Sequence, residues 1–168
     1  MPTRHFDLVS HWCLTAPVDR VWDALTTLST WPRWWPGVRS VRPLRSGDAD
    51  GLGSVHRIEW ATRWPLRPLT KVRAIEVRRF ERLRTRTGGH LCGEAIWLLR
   101  SEGRQTHVTH LWRVQMTAPW MRWLAPALVP LLRWNHVGVM RAGAAGLAAY
   151  LSRKPQTRQP LFAGRPGP

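Results

Sequence analysis

Two histidines carry the strongest signal for chemistry in this sequence. His110 lies between Val108 and Trp112 at the two-residue spacing of one face of a strand. His136 shares a helix face with Met140, because positions i and i+4 lie one above the other on a helix. An imidazole in apolar surroundings can orient a ligand oxygen or transfer a proton near neutral pH. The pair predicts a ligand-orienting or acid/base site; the structural alternative is histidines that are satisfied by backbone carbonyls or by core water.

The residues predicted to surround these histidines are aromatic, or small and polar. Strand alternation places three tryptophans on the inner face of a sheet, and a fourth is expected to join them from the helix. Thr87 would add a hydroxyl to that of the neighbouring Thr85. The predicted ligand-binding residues are Trp60, Thr85, Trp97, His110, Trp112, Trp134, His136 and Met140. No carboxylate has inward parity beside a histidine, so a His–acid pair is not predicted and binding is favoured over catalysis.

Patterns for metal binding and for nucleophilic catalysis are weak. His90, Cys92 and Glu94 alternate along one face and imitate a metal site, but their parity is opposite to that of Trp97, which predicts that they face solvent. No G-x-S-x-G motif is present, and Cys13 has no histidine in a recognisable nucleophile arrangement. We therefore expect neither a metal nor a cofactor.

The elements that must position these side chains follow a simple order. Alternation over His5–Thr15 predicts a strand, and residues 18–28 predict a short helix with Pro17 at its start. Six further strand-like runs are separated by turn-forming clusters, which favours a seven-stranded antiparallel meander. These runs are residues 38–44, 53–63, 70–80, 82–87, 91–100 and 106–116. A final helix is predicted from Pro130 to about Leu151, and its many small residues would let it lie close to the sheet.

The motif WPRWWPG at residues 31–37 is predicted to form a second short helix or turn. Pro32 suits an early helical position, and Pro36-Gly37 ends the element. Spacing predicts that Trp31 and one of Trp34 and Trp35 pack inward. The remaining indole is then expected to be free to touch a ligand or a membrane.

Composition predicts one globular domain. At 168 residues roughly 70% of the chain's surface can be buried, and 43% apolar with 21% charged residues is ordinary for a folded protein. The N-terminus lacks a signal-peptide pattern, and the apolar segment 118–132 is too short and too interrupted to span a bilayer, so we expect a soluble, cytoplasmic protein. The predicted domain covers residues 1–152, and the Pro/Gly-rich residues 153–168 are predicted to be a disordered tail.

The net charge of +16 raises the question of an anionic partner. No nucleic-acid-binding motif accompanies the charge, so nucleic acid is not predicted as a partner. From Gly103 onward, however, the chain has nine basic and no acidic residues, together with Trp120, Trp123 and Trp134. Such a segment could contact anionic lipid headgroups, although a solvated helix face beside a basic tail fits the same pattern. The sequence leaves the oligomeric state open.

Three segments resemble one known family. Residues 16–38, APVDRVWDALTTLSTWPRWWPGV, resemble the opening of the SRPBCC superfamily of START-like helix-grip proteins, especially its polyketide cyclase/dehydrase and lipid-transport branch. GRQTHVTHLWRV (103–114) is similar to the last strand of that family, and RWNHVGVM (133–140) to the start of its closing helix. Over residues 5–152 the resemblance implies an α+β helix-grip fold. In this fold a curved seven-stranded antiparallel sheet wraps a long C-terminal helix, and two short helices separate strands 1 and 2.

The resemblance implies a hydrophobic cavity between sheet and helix but not one activity. The leading interpretation is binding of a hydrophobic small molecule: a lipid, an aromatic compound or a polyketide-like compound. One alternative is an enzyme of the cyclase/dehydratase type that uses His110 or His136 as acid or base. A second is a lipid carrier that works at membrane surfaces.

Overall fold

The computed structural model describes residues 5–61, 69–89, 91–116 and 125–153. In chain order the elements are β1 (His5–Leu14), α1 (Val18–Thr26), a 3-10 turn (Leu28–Thr30), α2 (Trp31–Trp34), β2 (Val38–Arg45), β3 (Val55–Trp60), β4 (Leu69–Arg78), β5 (Arg82–Gly89), β6 (Leu91–Glu102), β7 (Gln105–Met116) and α3 (Ala125–Ser152). Residues 154–168 of the predicted tail lie outside the described residues, as do Trp120 and Trp123. Within the described part, no helix combines the length and hydrophobicity that a membrane span requires.

The seven strands form one antiparallel sheet in the order β1-β7-β6-β5-β4-β3-β2. Because β1 returns to pair with β7, the first and last strands of the meander are neighbours. The inner face carries buried side chains such as Leu8, Ile58, Leu83 and Val108, and charged side chains alternate with them on the outer face. This is the helix-grip fold that the sequence predicted, with both short helices between β1 and β2.

The last helix differs from its predicted bounds. It is helical from Ala125, so Pro130 lies inside it instead of opening it. Proline fixes φ near a helical value, so its cost inside a helix comes from the missing N–H and from the ring's clash with the carbonyl four residues earlier. The sequence pattern placed the start at Pro130 because prolines favour the first turn, and the structure shows that this proline is instead accommodated in the second turn.

All three tryptophans of WPRWWPG are buried, which makes the prediction of one free indole wrong. Trp31, Trp34 and Trp35 are 5%, 4% and 1% exposed. The helix ends at Trp34, and Trp35 takes an extended conformation that turns its ring away from the helical spacing. Glycines on α3 make room for Trp34 and Trp35, since a Cβ on Gly143 would meet the Trp35 ring at 2.7 Å and one on Gly146 would collide with the Trp34 carbonyl.

Candidate functional site

Register and helix packing bring four polar or aromatic side chains together inside the grip. On β1 and β7, Ser10 and His110 are direct pairing partners. His136 approaches from α3, with its Nε2 3.4 Å from the Ser10 Oγ and its ring centre 5.9 Å from that of His110. Trp112, the next inner-face residue of β7, has its ring centre 5.6 Å from that of His136. We call Ser10, His110, Trp112 and His136 the polar cluster.

The polar cluster contains two buried nitrogen atoms that lack a hydrogen-bond partner among the described residues. They are the Nδ1 of His110 and the Nε1 of Trp112. Leaving a buried polar group unsatisfied costs about 1–3 kcal/mol, so most such groups in folded proteins have a partner. The indole N–H is a donor in every state, and the histidine nitrogen donates or accepts according to its tautomer. The cluster therefore offers directional groups that an oxygen-bearing molecule can satisfy.

Burial keeps both histidines uncharged. Removal from water lowers the pKa of His110 to about 3, and the neighbouring His136 adds to that effect. Burial likewise lowers the pKa of His136 to about 4. None of the protein's ten acidic residues is buried, so no carboxylate inside the grip favours the imidazolium form. At neutral pH both rings are free bases within an apolar enclosure.

A second group of side chains fills the space next to the polar cluster. We call it the tryptophan cluster; it consists of Trp12, Trp31, Trp34, Trp35, Trp60 and Trp97. Trp35 is its centre, and its N–H donates to the Val139 carbonyl of α3 at 2.9 Å. Trp97 connects the two groups, because its ring centre lies 4.1 Å from that of His110 and 5.4 Å from that of Trp12. The tryptophan cluster thus packs directly against the polar cluster, and Trp97 makes the contact between them.

Most of the predicted site residues face the interior, but only some of them lie close to His110 and His136. Trp60 is half-buried and donates to the Thr70 hydroxyl at 2.9 Å, which places it at the far side of the tryptophan cluster. Thr85 is buried, with its hydroxyl 3.5 Å from the Ala95 carbonyl, and Met140 is buried in the core. His110, His136, Trp112 and Trp97 are the predicted residues that come together.

The prediction that Trp134 points inward is wrong. Its side chain is 70% exposed. The residue lies two positions before His136, which corresponds to about 200° around a helix, so the two side chains point in nearly opposite directions. Trp134 instead shares the outer side of α3 with Val137, which is 52% exposed, and with the exposed Arg133 and Arg141.

Ser10 is the member of the polar cluster that the sequence did not single out. Its parity with Leu8 and Trp12 places it on the inner face of β1, which is the one signal the sequence contains. A lone serine among apolar residues of a strand is common, however. Only the strand pairing and the position of α3 bring it to His110 and His136.

The weaker sequence patterns lie away from this site. Glu94 is engaged by Arg84 and Arg86 on the outer face, Cys92 contacts the Gly89 carbonyl, and His90 lies outside the described residues. Among described residues no three His, Cys, Asp or Glu side chains are arranged to hold a metal ion. An open groove of about 450 Å³ crosses the outer face of β1, β6 and β7. It lies on the opposite side of the sheet from the polar cluster.

Comparisons with known proteins agree with this architecture. Residues 13–152 match the family model described as polyketide cyclase / dehydrase and lipid transport. The Zhui aromatase/cyclase from Streptomyces sp. R1128 superposes with a TM-score of 0.75 at 15% identity, over 89% of this chain and 95% of that one. A START superfamily protein from Mycobacterium smegmatis gives 0.71 at 14% identity, over 88% and 97%. The major latex-like protein 151 from Panax ginseng gives 0.68 at 9% identity, over 89% and 99%.

No curated protein matches the sequence. At these identities the solved structures establish the fold alone, whereas the family model covers most of the chain. The family model and the fold together indicate a polyketide-cyclase type of domain that binds hydrophobic ligands. The chain belongs to the polyketide cyclase / dehydrase and lipid transport family.

Proposed function

We propose that this protein binds an oxygen-bearing hydrophobic small molecule, aromatic or polyketide-like, between the sheet and α3, with one end of the molecule at the polar cluster. The observation that carries the proposal is a pair of buried nitrogens without a hydrogen-bond partner among the described residues, His110 Nδ1 and Trp112 Nε1. A pure hydrocarbon would leave both unsatisfied, while a ligand with a hydroxyl or carbonyl oxygen would pair with them. The uncharged histidines favour a neutral ligand over an anionic one.

Native mass spectrometry of gently purified protein tests the proposal first, and a co-purifying apolar compound is expected. Binding of 2-naphthol and of naphthalene then separates the contribution of the oxygen, since the two probes differ by one hydroxyl. We expect tighter binding of 2-naphthol by about five-fold, which corresponds to about 1 kcal/mol for one hydrogen bond.

Trp112→Phe removes the unpaired N–H and keeps most of the ring, so it should reduce the preference for 2-naphthol. Trp60→Phe is the matched control, because its N–H is already bonded to Thr70, on the far side of the tryptophan cluster. Absence of a co-purified compound, together with no saturable binding of either naphthalene probe, would contradict the proposal.

A cyclase/dehydratase-type enzyme is the second candidate. The observation in its favour is the close approach of two neutral imidazoles, which are bases at neutral pH without a preceding deprotonation. His110→Ala and His136→Ala should then abolish turnover of a genuine substrate while leaving its binding within a few-fold. Unchanged turnover in both variants would remove this candidate.

A lipid carrier that works at membrane surfaces is the third candidate. It rests on the outer side of α3, where Trp134 and Val137 are exposed between Arg133 and Arg141. Indole rings and basic side chains are both favoured at anionic lipid interfaces. In liposome flotation, Trp134→Ala should weaken binding to vesicles that contain phosphatidylglycerol. Equal or absent binding to anionic and neutral vesicles by the unmodified protein would remove this candidate.

A further inference from the structure

A hydroxyl group and a neutral imidazole meet inside the grip. The Oγ of Ser10 lies 3.4 Å from Nε2 of His136, although the residues are 126 positions apart in the chain. When the imidazole proton is on Nδ1, the serine hydroxyl donates to Nε2. Nucleophile–base pairs have this geometry, and their hydrogen bonds are often long before substrate binds.

The surroundings keep His136 in the form that a general base needs. The groups facing it are Ser10 on β1 together with His110 and Trp112 on β7. His110 is itself uncharged, and no carboxylate is buried nearby. His136 is therefore unprotonated at neutral pH and can accept a proton, although burial lowers its pKa to about 4 and makes it a weaker base than an exposed histidine.

Two side chains that can stabilise a developing negative charge lie on β7, the strand that pairs with the strand of Ser10. His110 is the direct pairing partner of Ser10, and Trp112 is the next inner-face residue of the same strand. The Nε1–H of Trp112 and the Nδ1 of His110 are the two buried nitrogens without a partner among the described residues. A donor without a partner among the described residues is the kind of group that an acyl-transfer site needs for its oxyanion. The indole N–H of Trp112 can donate a hydrogen bond to the oxyanion in every state, and His110 can do so in the tautomer with the proton on Nδ1.

From this constellation we propose that the polar cluster is an acyl-transfer site, with Ser10 as nucleophile and His136 as general base, that cleaves carboxylic esters of hydrophobic alcohols or phenols. This reaction goes beyond ligand binding and differs from cyclisation or dehydration, because a covalent acyl-serine forms.

The reaction balances with water as its only co-reactant. The Ser10 oxygen forms a bond to the ester carbonyl carbon while its proton moves to His136 Nε2. The carbonyl oxygen carries the negative charge beside Trp112 and His110. The carbonyl then re-forms, the bond to the leaving alcohol oxygen breaks, and His136 gives its proton to that oxygen. Water attacks the acyl-serine by the same sequence, which releases a carboxylic acid and restores Ser10.

Covalent labelling tests the proposal without any substitution. The wild-type protein is incubated with an alkyl fluorophosphonate, which phosphonylates activated serines, and the adduct is located by peptide mass mapping. We expect one adduct, on Ser10. In parallel, p-nitrophenyl esters of increasing acyl length report turnover as p-nitrophenol release.

Matched variants separate chemistry from structure. Ser10→Ala and His136→Gln should each lower p-nitrophenol release by about 100-fold or more, and Trp112→Phe by about 10- to 100-fold. Ser40→Ala is the control, because Ser40 is a strand serine whose hydroxyl already donates to Glu59 on the outer face; its rate should not change. Thermal unfolding of each variant verifies that the fold is retained.

The experiments distinguish failure of the acyl-transfer proposal from failure of the ligand-binding proposal. Ser10→Ala should still bind 2-naphthol within a few-fold of the wild-type affinity, because the nitrogens proposed to pair with the ligand oxygen belong to His110 and Trp112. No adduct on Ser10, or p-nitrophenol release that persists in Ser10→Ala, overturns the acyl-transfer proposal even when 2-naphthol binds. Conversely, an adduct on Ser10 supports it even when neither naphthalene probe binds.

Discussion

The tryptophan cluster and the polar cluster adjoin inside the same grip, yet their hydrogen bonding differs. In the tryptophan cluster, the N–H groups of Trp31, Trp34, Trp35 and Trp60 all donate to protein acceptors. In the polar cluster, the nitrogens of His110 and Trp112 lack partners among the described residues. Four of the six indole N–H groups in the first region are therefore satisfied within the protein, while the second region keeps bonding capacity that no described residue uses.

This difference separates stability from function. Each buried indole contributes on the order of 5 kcal/mol of hydrophobic stabilisation as an upper value. The stabilisation from the tryptophan cluster can therefore offset the free-energy cost of the two nitrogens that lack a described partner in the adjoining polar cluster. Unsatisfied groups persist where surrounding packing over-determines their positions, and such places are often functional. We expect substitutions in the tryptophan cluster to change the free energy of unfolding, and substitutions in the polar cluster to change binding.

The largest expected effect is that of Trp35→Ala. The ring is 1% exposed and contacts all five other tryptophans of its cluster, so its removal leaves a cavity that the rigid surroundings cannot fill. We expect a loss of about 4 kcal/mol in the free energy of unfolding, measured by urea denaturation. Trp134→Ala is the control; at 70% exposure it should change this energy by about 0.5 kcal/mol or less. Similar losses in both variants would contradict the assigned roles.

Gly146→Ala should have the next largest effect. A Cβ at this position collides with the carbonyl oxygen of Trp34, so α3 would have to move away from α2. We expect a loss of about 2–3 kcal/mol in the same urea measurement. Gly138→Ala is the matched control on the same helix, since its Cβ meets nothing within 4 Å. It should stabilise the protein by about 0.5–1 kcal/mol, because alanine favours helix. If Gly138→Ala also lost stability, the loss in Gly146→Ala could not be assigned to the collision with Trp34.

Acid should destabilise the protein through the polar cluster. The pKa values of His110 and His136 in the folded state, about 3 and about 4, lie below the unfolded value near 6.5. The unfolded chain therefore binds more protons as pH falls below 6.5, and stability decreases until the folded pKa values are reached. Between pH 7 and pH 5 the expected loss is about 2 kcal/mol for each histidine.

Urea titrations across this pH range measure the loss. His110→Leu combined with His136→Leu should remove most of the slope between pH 6.5 and pH 5, a window above the range where exposed carboxylates titrate. If the free energy of unfolding of the double variant fell with pH as steeply as that of the wild type, titratable groups other than His110 and His136 would cause the acid destabilisation.

The smallest expected change in stability is that of His110→Leu. The substitution replaces a buried imidazole, whose Nδ1 has no partner in the described structure, by an apolar side chain of similar size. We expect the free energy of unfolding at pH 7 to stay within about 1 kcal/mol of wild type or to increase. Binding of 2-naphthol should weaken by about five-fold in fluorescence titration, while naphthalene binding should not. A loss of several kcal/mol in stability would show that His110 is structural.

Particular residues show what could and could not be predicted. The inward positions of His110, Trp97 and Trp112 follow from strand alternation, and the structure confirms them. The inward position predicted for Trp134 is wrong, because the residue lies about 200° around the helix from the inward-facing His136. The prediction of one free indole in WPRWWPG is wrong for another reason. It assumed one continuous helix through the motif, whereas the helix ends before Trp35. Ser10 had inward parity but nothing local to distinguish it.

The sequence by itself determined the elements, their order and the faces of the strands, because alternation, turn residues and prolines act locally. It also determined the two inward histidines. Tertiary structure alone decided that Ser10 meets His136, that two buried nitrogens have no partner among the described residues, and that glycines of α3 make room for Trp34 and Trp35. These outcomes depend on which strand pairs with β1 and on how closely α3 approaches the sheet. Such contacts join residues more than a hundred positions apart, and no local pattern specifies them.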